Sequence, residues 1–370
     1  MCIRDRPSIK QDISVIGIVF NKRITKNKNI LLELEDFSGK IKVIISSYKE
    51  DVFKKAKTIL PDEVIAIKGN GNNEIIFGSD IVFPEVSETT KNLLKEESYA
   101  VFTSDIHIGS KKFIEDKFNN FIEWLNGNIG NEEQKEISKK IKYLFIAGDS
   151  VDGVGVFPGQ SDLLNIKDIK EQYIELAKYL KKIRKDITIF LIPGQHDASR
   201  IAEPQPPISK EYAAPLYEIE NLFLLSNPAM VEIGLKNNAR GIKVLMYHGA
   251  SYHPIIEEIE ELKLTKAQKK PTKVSKYLLQ KRHLAPSHSD SDKFPVAEVD
   301  PLIIKQTPDI FVNGDLHRSD VDFCGPITLI SSSCWQYQTE FEEKVGNIPD
   351  PCKVPLLNLK TGKVNILDFS

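Results

Sequence analysis

Cysteine is scarce in this chain: there are four in 370 residues, Cys2, Cys324, Cys334 and Cys352, and no CxxC pair among them. That spacing excludes the common cysteine-based zinc sites and fits a reducing compartment better than a disulfide scaffold. Long hydrophobic runs are missing as well. Apolar stretches such as 187–192 fall far short of the roughly 18 residues a membrane span needs. The sequence therefore predicts a soluble, cytoplasmic protein with no membrane partner. Nor is there an excess of charge of one sign: 50 Lys and Arg face 52 Asp and Glu, a formal net charge of −2. This excludes a polycation that holds nucleic acid by charge alone. Histidine is absent before residue 100, and all seven histidines lie beyond it.

What is present describes an ordinary globular protein, 41% hydrophobic and 28% charged, long enough for two to three domains. Residues 1–7 read as neither a secretory nor a transit signal. They look like a sequencing or assembly scar, so the natural chain is expected to begin further upstream. Residues 8–86 read as β: strands over 13–20, 30–36 and 41–45, an amphipathic helix over 49–59, then strands 64–68 and 74–77 around a turn at 69–72. Three strands, a helix and two strands is the order of an OB-fold, a small barrel that often binds single strands. Between residues 8 and 88 there are 12 basic and 12 acidic side chains, so charge does not choose between nucleic-acid binding and a protein contact. Residues 87–98 read as a linker. From 99 to 370, strands alternate with helices, with strands over 99–104, 143–147, 187–192, 222–225, 244–247, 310–312 and 327–330 and helices over 113–125 and 166–183. This predicts a layered α/β domain with functional loops at the strand ends.

Five polar clusters each follow a predicted strand: Asp105-Ile106-His107, Gly148-Asp149-Ser150-Val151-Asp152, Gly194-Gln195-His196-Asp197, Tyr247-His248-Gly249 and Gly314-Asp315-Leu316-His317. A carboxylate and an imidazole two residues apart on an extended segment point the same way, which suits convergence on metal ions. The glycines allow the backbone to turn tightly beside the ions. One Asp-x-His is weak evidence; five clusters in this order are strong.

These clusters resemble the motifs of the calcineurin-like metallophosphoesterase superfamily, which run DxH, GDxxD, GNHD, H and GHxH. The resemblance implies a four-layer β-sandwich flanked by helices, following the N-terminal OB-fold. It implies one metal held by Asp105, His107, Asp149 and His317. Asp149 would bridge to a second metal completed by Gln195, His248 and Asp315. His196 would donate a proton to the leaving oxygen, oriented by Asp197, and Asp152 would orient ligands. Two departures from the pattern, Gln195 for Asn and Asp315 for His, both fall on the second metal. Their oxygens suit Mn²⁺ first and Mg²⁺ second.

The likeness narrows to the small-subunit family of the archaeal family D DNA polymerases. It rests on Leu32-Glu33-Leu34-Glu35-Asp36, on Ser104 to Ser110, on Gly148 to Gly155, on Lys281-Arg282-His283-Leu284-Ala285-Pro286 and on Trp335-Gln336-Tyr337-Gln338-Thr339. It implies a large catalytic subunit as partner, a nucleoid-associated location and a 3′→5′ exonuclease activity at single-stranded or mismatched DNA 3′ ends. Two other readings stand beside it: an architectural subunit with weakened catalysis, and a stand-alone metallophosphatase. Residues 263–282 carry eight basic side chains and no acidic one. Lys269, Lys270 and Lys273 there, with Arg318, are candidate DNA contacts, against a solvated helix pair and a structural salt bridge. His253, His283 and His288 read as surface histidines.

Overall fold

The computed structural model describes residues 3, 11–86, 90–235, 240–288, 291–293 and 299–370. Most of the supposed scar, the expected first barrel residues 8–10 and linker residues 87–89 lie outside the described residues.

The first unit is built from β1 (Gln11–Ile24), β2 (Ile30–Asp36), β3 (Gly39–Ile45), α1 (Glu50–Lys57), β4 (Val64–Gly71) and β5 (Ile75–Val82). The strands close into a barrel in the order β1-β2-β3-β5-β4. Alternation drives the closure: Ile13, Val15 and Val19 of β1 point into the core, while Ser14, Ile16, Ile18 and Phe20 face outward. Ile3, within the supposed scar, is buried in the same core, and its N–H donates to Asp36 Oδ2 (2.9 Å). The turn expected at 69–72 forms later. Gly69 to Gly71 continue β4 past a bulge, and a Cβ on Gly69 would stand 2.4 Å from the Phe77 carbonyl oxygen, so these glycines serve close backbone approach. The turn falls at 72–74, where Asn72 Oδ1 accepts from the N–H groups of Glu74 and Ile75.

The second unit runs β6 (Tyr99–Thr103), α2 (Glu115–Leu125), α3 (Glu132–Lys139), β7 (Ile141–Ala147), α4 (Ile169–Lys181), β8 (Thr188–Ile192), α5 (Lys210–Ala213) and β9 (Leu222–Leu224). It continues with β10 (Ala229–Ile233), β11 (Ile242–Met246), α6 (Tyr252–Glu258), α7 (Glu260–Leu264), α8 (Thr272–Lys281), β12 (Ile310–Asn313), β13 (Asp320–Cys324) and β14 (Ile327–Ser331). It ends with α9 (Glu340–Val345), β15 (Lys353–Asn358) and β16 (Val364–Asp368). Two sheets result, one in the order β16-β15-β6-β7-β8-β9 and one in the order β10-β11-β12-β14-β13.

The central strands are parallel and buried on both faces, which is why they are continuous apolar runs. Between the sheets lie Phe102, Phe145, Ile192, Val244, Met246, Val312 and Ile330. Phe102, Phe145 and Phe190 stack there at centroid spacings of 5.1 Å. On the far face of the first sheet, α2 and α4 bury Phe118, Phe121, Leu176 and Leu180. On the far face of the second, α6 and α8 bury Ile255, Ile256, Val274 and Leu278. The stacking is therefore helix, sheet, sheet, helix. In the basic segment 263–282, Val274, Tyr277, Leu278 and Leu279 of α8 belong to this outer layer, while Lys263, Lys266, Lys269 and Lys270 are exposed.

The barrel seats on α8. Glu63, just before β4, and Lys281, at the end of α8, form a 2.7 Å ion pair with both side chains buried. Tyr277 donates its hydroxyl to the same carboxylate, and the Lys281 ammonium lies 3.6 Å from the Phe83 ring centroid.

Candidate metal centre

All five polar clusters sit at the C-terminal ends of parallel strands: β6, β7 and β8 in one sheet, β11 and β12 in the other. Packing the sheets face to face brings those ends together. The side chains do not converge by the extended i, i+2 alternation expected from the sequence. Asp105, His107, Asp149, Asp315 and His317 all take positive φ, between 47° and 68°. Left-handed residues after β6, β7 and β12 turn the chain back and swing these functional groups inward. Non-glycine residues adopt this conformation at a cost of about 1–3 kcal/mol each, which the packed strands beneath must offset.

The inner ring is tight. His107 Nε2 and His317 Nε2 lie 3.2 Å apart, with Asp105 Oδ1 3.4 Å from the latter. On the other side of Asp105, Asp149 Oδ2 is 3.3 Å from His248 Nε2, and Asp315 Oδ1 is 3.9 Å from it. Three sets of side chains, Asp105/His107/His317, Asp105/Asp149/His248 and His107/Asp152/His196, each offer atoms within 4.8 Å of one another. Gln195 Nε2 donates to Asp315 Oδ1 (3.0 Å), so the two departures from the superfamily pattern are bonded to each other.

A shell of partners aims these groups. His248 donates Nδ1–H to the Ala147 carbonyl (2.6 Å), which leaves Nε2 facing inward. His107 Nδ1 lies 3.1 Å from Asp152 Oδ1, and His317 Nδ1 bonds Glu342 Oε1 (2.8 Å). Carboxylate–imidazole pairs of this kind fix the ring that a metal would meet. Gln336 Nε2 steadies Asp152 at 3.0 Å. Asp197 does not touch His196 in this way. It accepts from Ser150 Oγ, Tyr173 OH and the N–H of Gly194, tying two strand-end loops together, while the His196 ring is held by the Asp152 carbonyl (2.7 Å).

The electrostatics follow from burial. Burial would raise the Asp149 carboxyl, but the imidazoles of His248 and His196 outweigh it and hold the acid far below the carboxylate range. Burial likewise opposes charge on His248, and Asp149 raises it well above the ordinary histidine value. Burial raises Asp315. Protons on such imidazoles are what an arriving divalent cation must displace.

The donor set fits divalent metal. Gln195 Oε1, His248 Nε2 and Asp315 Oδ2 are buried yet lack a well-aligned hydrogen-bond partner among the described residues, an arrangement that is costly unless another ligand satisfies it. Gly194 leaves the room: a Cβ there would lie 2.2 Å from Asp149 Oδ1 and 2.7 Å from His248 Nε2.

Residues 100–321 match the family described as the DNA polymerase alpha/epsilon B subunit. The DNA polymerase II small subunit of Pyrococcus furiosus is 40% identical over 98% of this chain and 58% of its own length. That of Methanothermobacter thermautotrophicus is 39% identical over 97% of this chain and 71% of its own. The chain belongs to the DNA polymerase II small-subunit family. It spans little more than half of the Pyrococcus relative. Among solved structures, one from a study titled as the characterization of a novel archaeal phosphodiesterase aligns with 73% of this chain and 98% of its own. The identity is 12% and the TM-score 0.35, below the level that shows a shared fold.

In this family member the ring of Asp and His side chains opens into a cavity of about 400 Å³. Asp149, Gln195, His196, Asp315 and His317 form its floor, and Val156, Phe157 and Leu163 an apolar wall. Its basic residues are Lys111 and Lys112, not those singled out from sequence. Lys269, Lys270 and Lys273 lie on or beside α8, away from the cavity lining. Arg318 donates to the Ile348 carbonyl (2.9 Å). The lysine pair was visible four residues past His107 of the first motif. Glu342 was also missed, although Thr339-x-x-Glu342 is a capping-box sequence and does cap α9. His253 lines the cavity as well. Among the described residues no helix is long and apolar enough to cross a membrane.

Proposed function

We propose that the chain is the small subunit of a two-subunit archaeal DNA polymerase, and that it cleaves the terminal phosphodiester at DNA 3′ ends with two divalent ions. The observation that carries this reading is the meeting of five strand-end clusters around three buried atoms, Gln195 Oε1, His248 Nε2 and Asp315 Oδ2, that lack a well-aligned hydrogen-bond partner among the described residues. On this reading the second unit is a calcineurin-like metallophosphoesterase domain. The closed barrel, with its helix between the third and fourth strands, is an OB-fold that, with the rest of the chain, serves a large catalytic subunit. Asp105, His107, Asp149 and His317 hold one ion. Asp149, Gln195, His248 and Asp315 hold the other, with Mn²⁺ first and Mg²⁺ second. Bound there, the ions supply charge against the phosphate and a water activated near neutral pH.

The chain's own groups do the rest. With Nδ1–H committed to the Asp152 carbonyl, His196 keeps Nε2 as the atom that hands a proton to the leaving oxygen. Lys111 and Lys112 meet the phosphates of the incoming strand, and the wall of Val156, Phe157 and Leu163 takes the apolar face of the terminal nucleoside.

One observation favours a second reading, an architectural subunit. The bond between Gln195 and Asp315 satisfies part of the second ion's ligand set from within. Incubating the protein with Mn²⁺ and a 3′-labelled mismatched primer, beside Asp149→Ala, separates the readings. Mononucleotide release by the wild type and not by the variant is expected. No release in any metal would favour the architectural subunit, and turnover of only small phosphomonoesters a stand-alone phosphatase.

A further inference from the structure

Position 315 holds a carboxylate where the superfamily pattern has a histidine, so the second ligand set begins with one imidazole, His248, rather than two. Another imidazole stands beside it. His253, in the first turn of α6 and five residues beyond His248, places Nε2 3.9 Å from Asp315 Oδ2. The ring lines the same cavity and is partly exposed, which leaves it room to reorient. Asp315 Oδ2 is buried with no hydrogen-bond partner among the described residues. The gap is too long for a hydrogen bond, so His253 does not satisfy that oxygen directly. His248 is fully buried, and its Nε2, also without a well-aligned partner, lies 3.9 Å from the other oxygen of Asp315, Oδ1. Two imidazole nitrogens thus stand 3.9 Å from the two oxygens of one carboxylate. The ligand groups that already lie within 4.8 Å of one another do not include His253, so its ring reaches a shared cation by turning within the cavity.

We propose that His253 supplies the imidazole that Asp315 does not, as a ligand of the second metal position alongside Asp149, Gln195, His248 and Asp315. The inference rests on the two-metal reading above. Under it, the departure at 315 is a relocation of the nitrogen donor from a strand-end loop to the neighbouring helix.

Calorimetric titration with Mn²⁺ alone tests it on three forms of the chain: wild type, His253→Ala and the double variant His253→Ala/Asp315→His. The wild type is expected to take up two ions. His253→Ala should keep the first and bind the second at least roughly tenfold more weakly, the lower bound for losing even an indirect partner of a metal ligand. The double variant, which returns an imidazole at position 315, should recover the second affinity. Equal second-site affinity in wild type and His253→Ala would overturn the role of His253 and leave the two-metal reading intact. So would a loss that the double variant fails to restore, since the alanine would then have disturbed the fold rather than removed a ligand. A wild type that binds fewer than two ions would overturn both.

Discussion

Single residues outside the recognised motifs decide how well the centre is aimed. Glu342 is one: it reaches from the capping box of α9 to His317 Nδ1, and Asn347 Nδ2 steadies the same oxygen at 3.1 Å. Glu203 is another, one layer below the site, where Tyr247 OH donates to its Oε2 (3.0 Å). Burial pushes the Glu203 carboxyl up to about 7. A raised acid favours the folded state fully below its unfolded value, and that contribution is lost as pH rises through about 7. Glu203→Gln removes the ionisation while keeping an oxygen for Tyr247 to reach. It should therefore match the wild type near pH 4 and become the more stable protein by pH 8, by at most about 3 kcal/mol. Thermal melts of the two proteins across that range check this, and a constant difference would contradict it.

At the scale of elements, the decisive piece is the irregular segment after β14 that carries Trp335. Its N–H donates to the Asp105 carbonyl (2.9 Å) and its indole N–H to Thr103 Oγ1 (2.7 Å). The ring stacks on Phe121 and meets Phe118 edge-on, at 5.1 and 5.0 Å. The backbone of Asp105 is thus nailed to α2. Trp335→Ala should cost roughly 3–5 kcal/mol in urea unfolding; a loss below 1 kcal/mol would mean the segment is not what secures Asp105. Much of this level was legible beforehand. The apolar runs of β6, β7, β8, β12 and β14 and the polar clusters that end several of them stand out because parallel buried strands cannot hide their composition. Elements whose signal depends on tertiary contact were not legible. Edge strand β13 carries Asp320 and Asp322, and β15 holds Pro355, which local patterns score against a strand. The left-handed turns at Asp105, His107, Asp149, Asp315 and His317 leave only a weak trace in residue type: Asp and His take such φ values more readily than most residues, but glycine, the residue most suited, stands beside Asp149 and Asp315 alone. The site was recognised by the identity and order of its residues, while the geometry that joins them belongs to the fold.

For the whole molecule, the junction between barrel and sandwich rests on a buried ion pair. Burial raises the Glu63 carboxyl and lowers the Lys281 ammonium, each against the pull of its partner. Removing one partner strands the other. Lys281→Met should destabilise the protein by roughly 3–5 kcal/mol, and Glu63→Leu/Lys281→Met should recover most of that loss. Equal unfolding midpoints for the single variant and the wild type would show that the pair does not secure the junction. The near balance of 50 basic and 52 acidic residues also takes on a meaning at this scale. On the proposed function the protein meets DNA at one cavity, through metal ions and two lysines, and not over a basic surface. The claim on which everything else depends is the pair of metal positions at the strand ends, and anomalous scattering from a Mn²⁺-soaked crystal reads it directly. Two peaks roughly 3.5–4 Å apart, with Asp149 between them, are expected; a single peak, or none among these side chains, would contradict it.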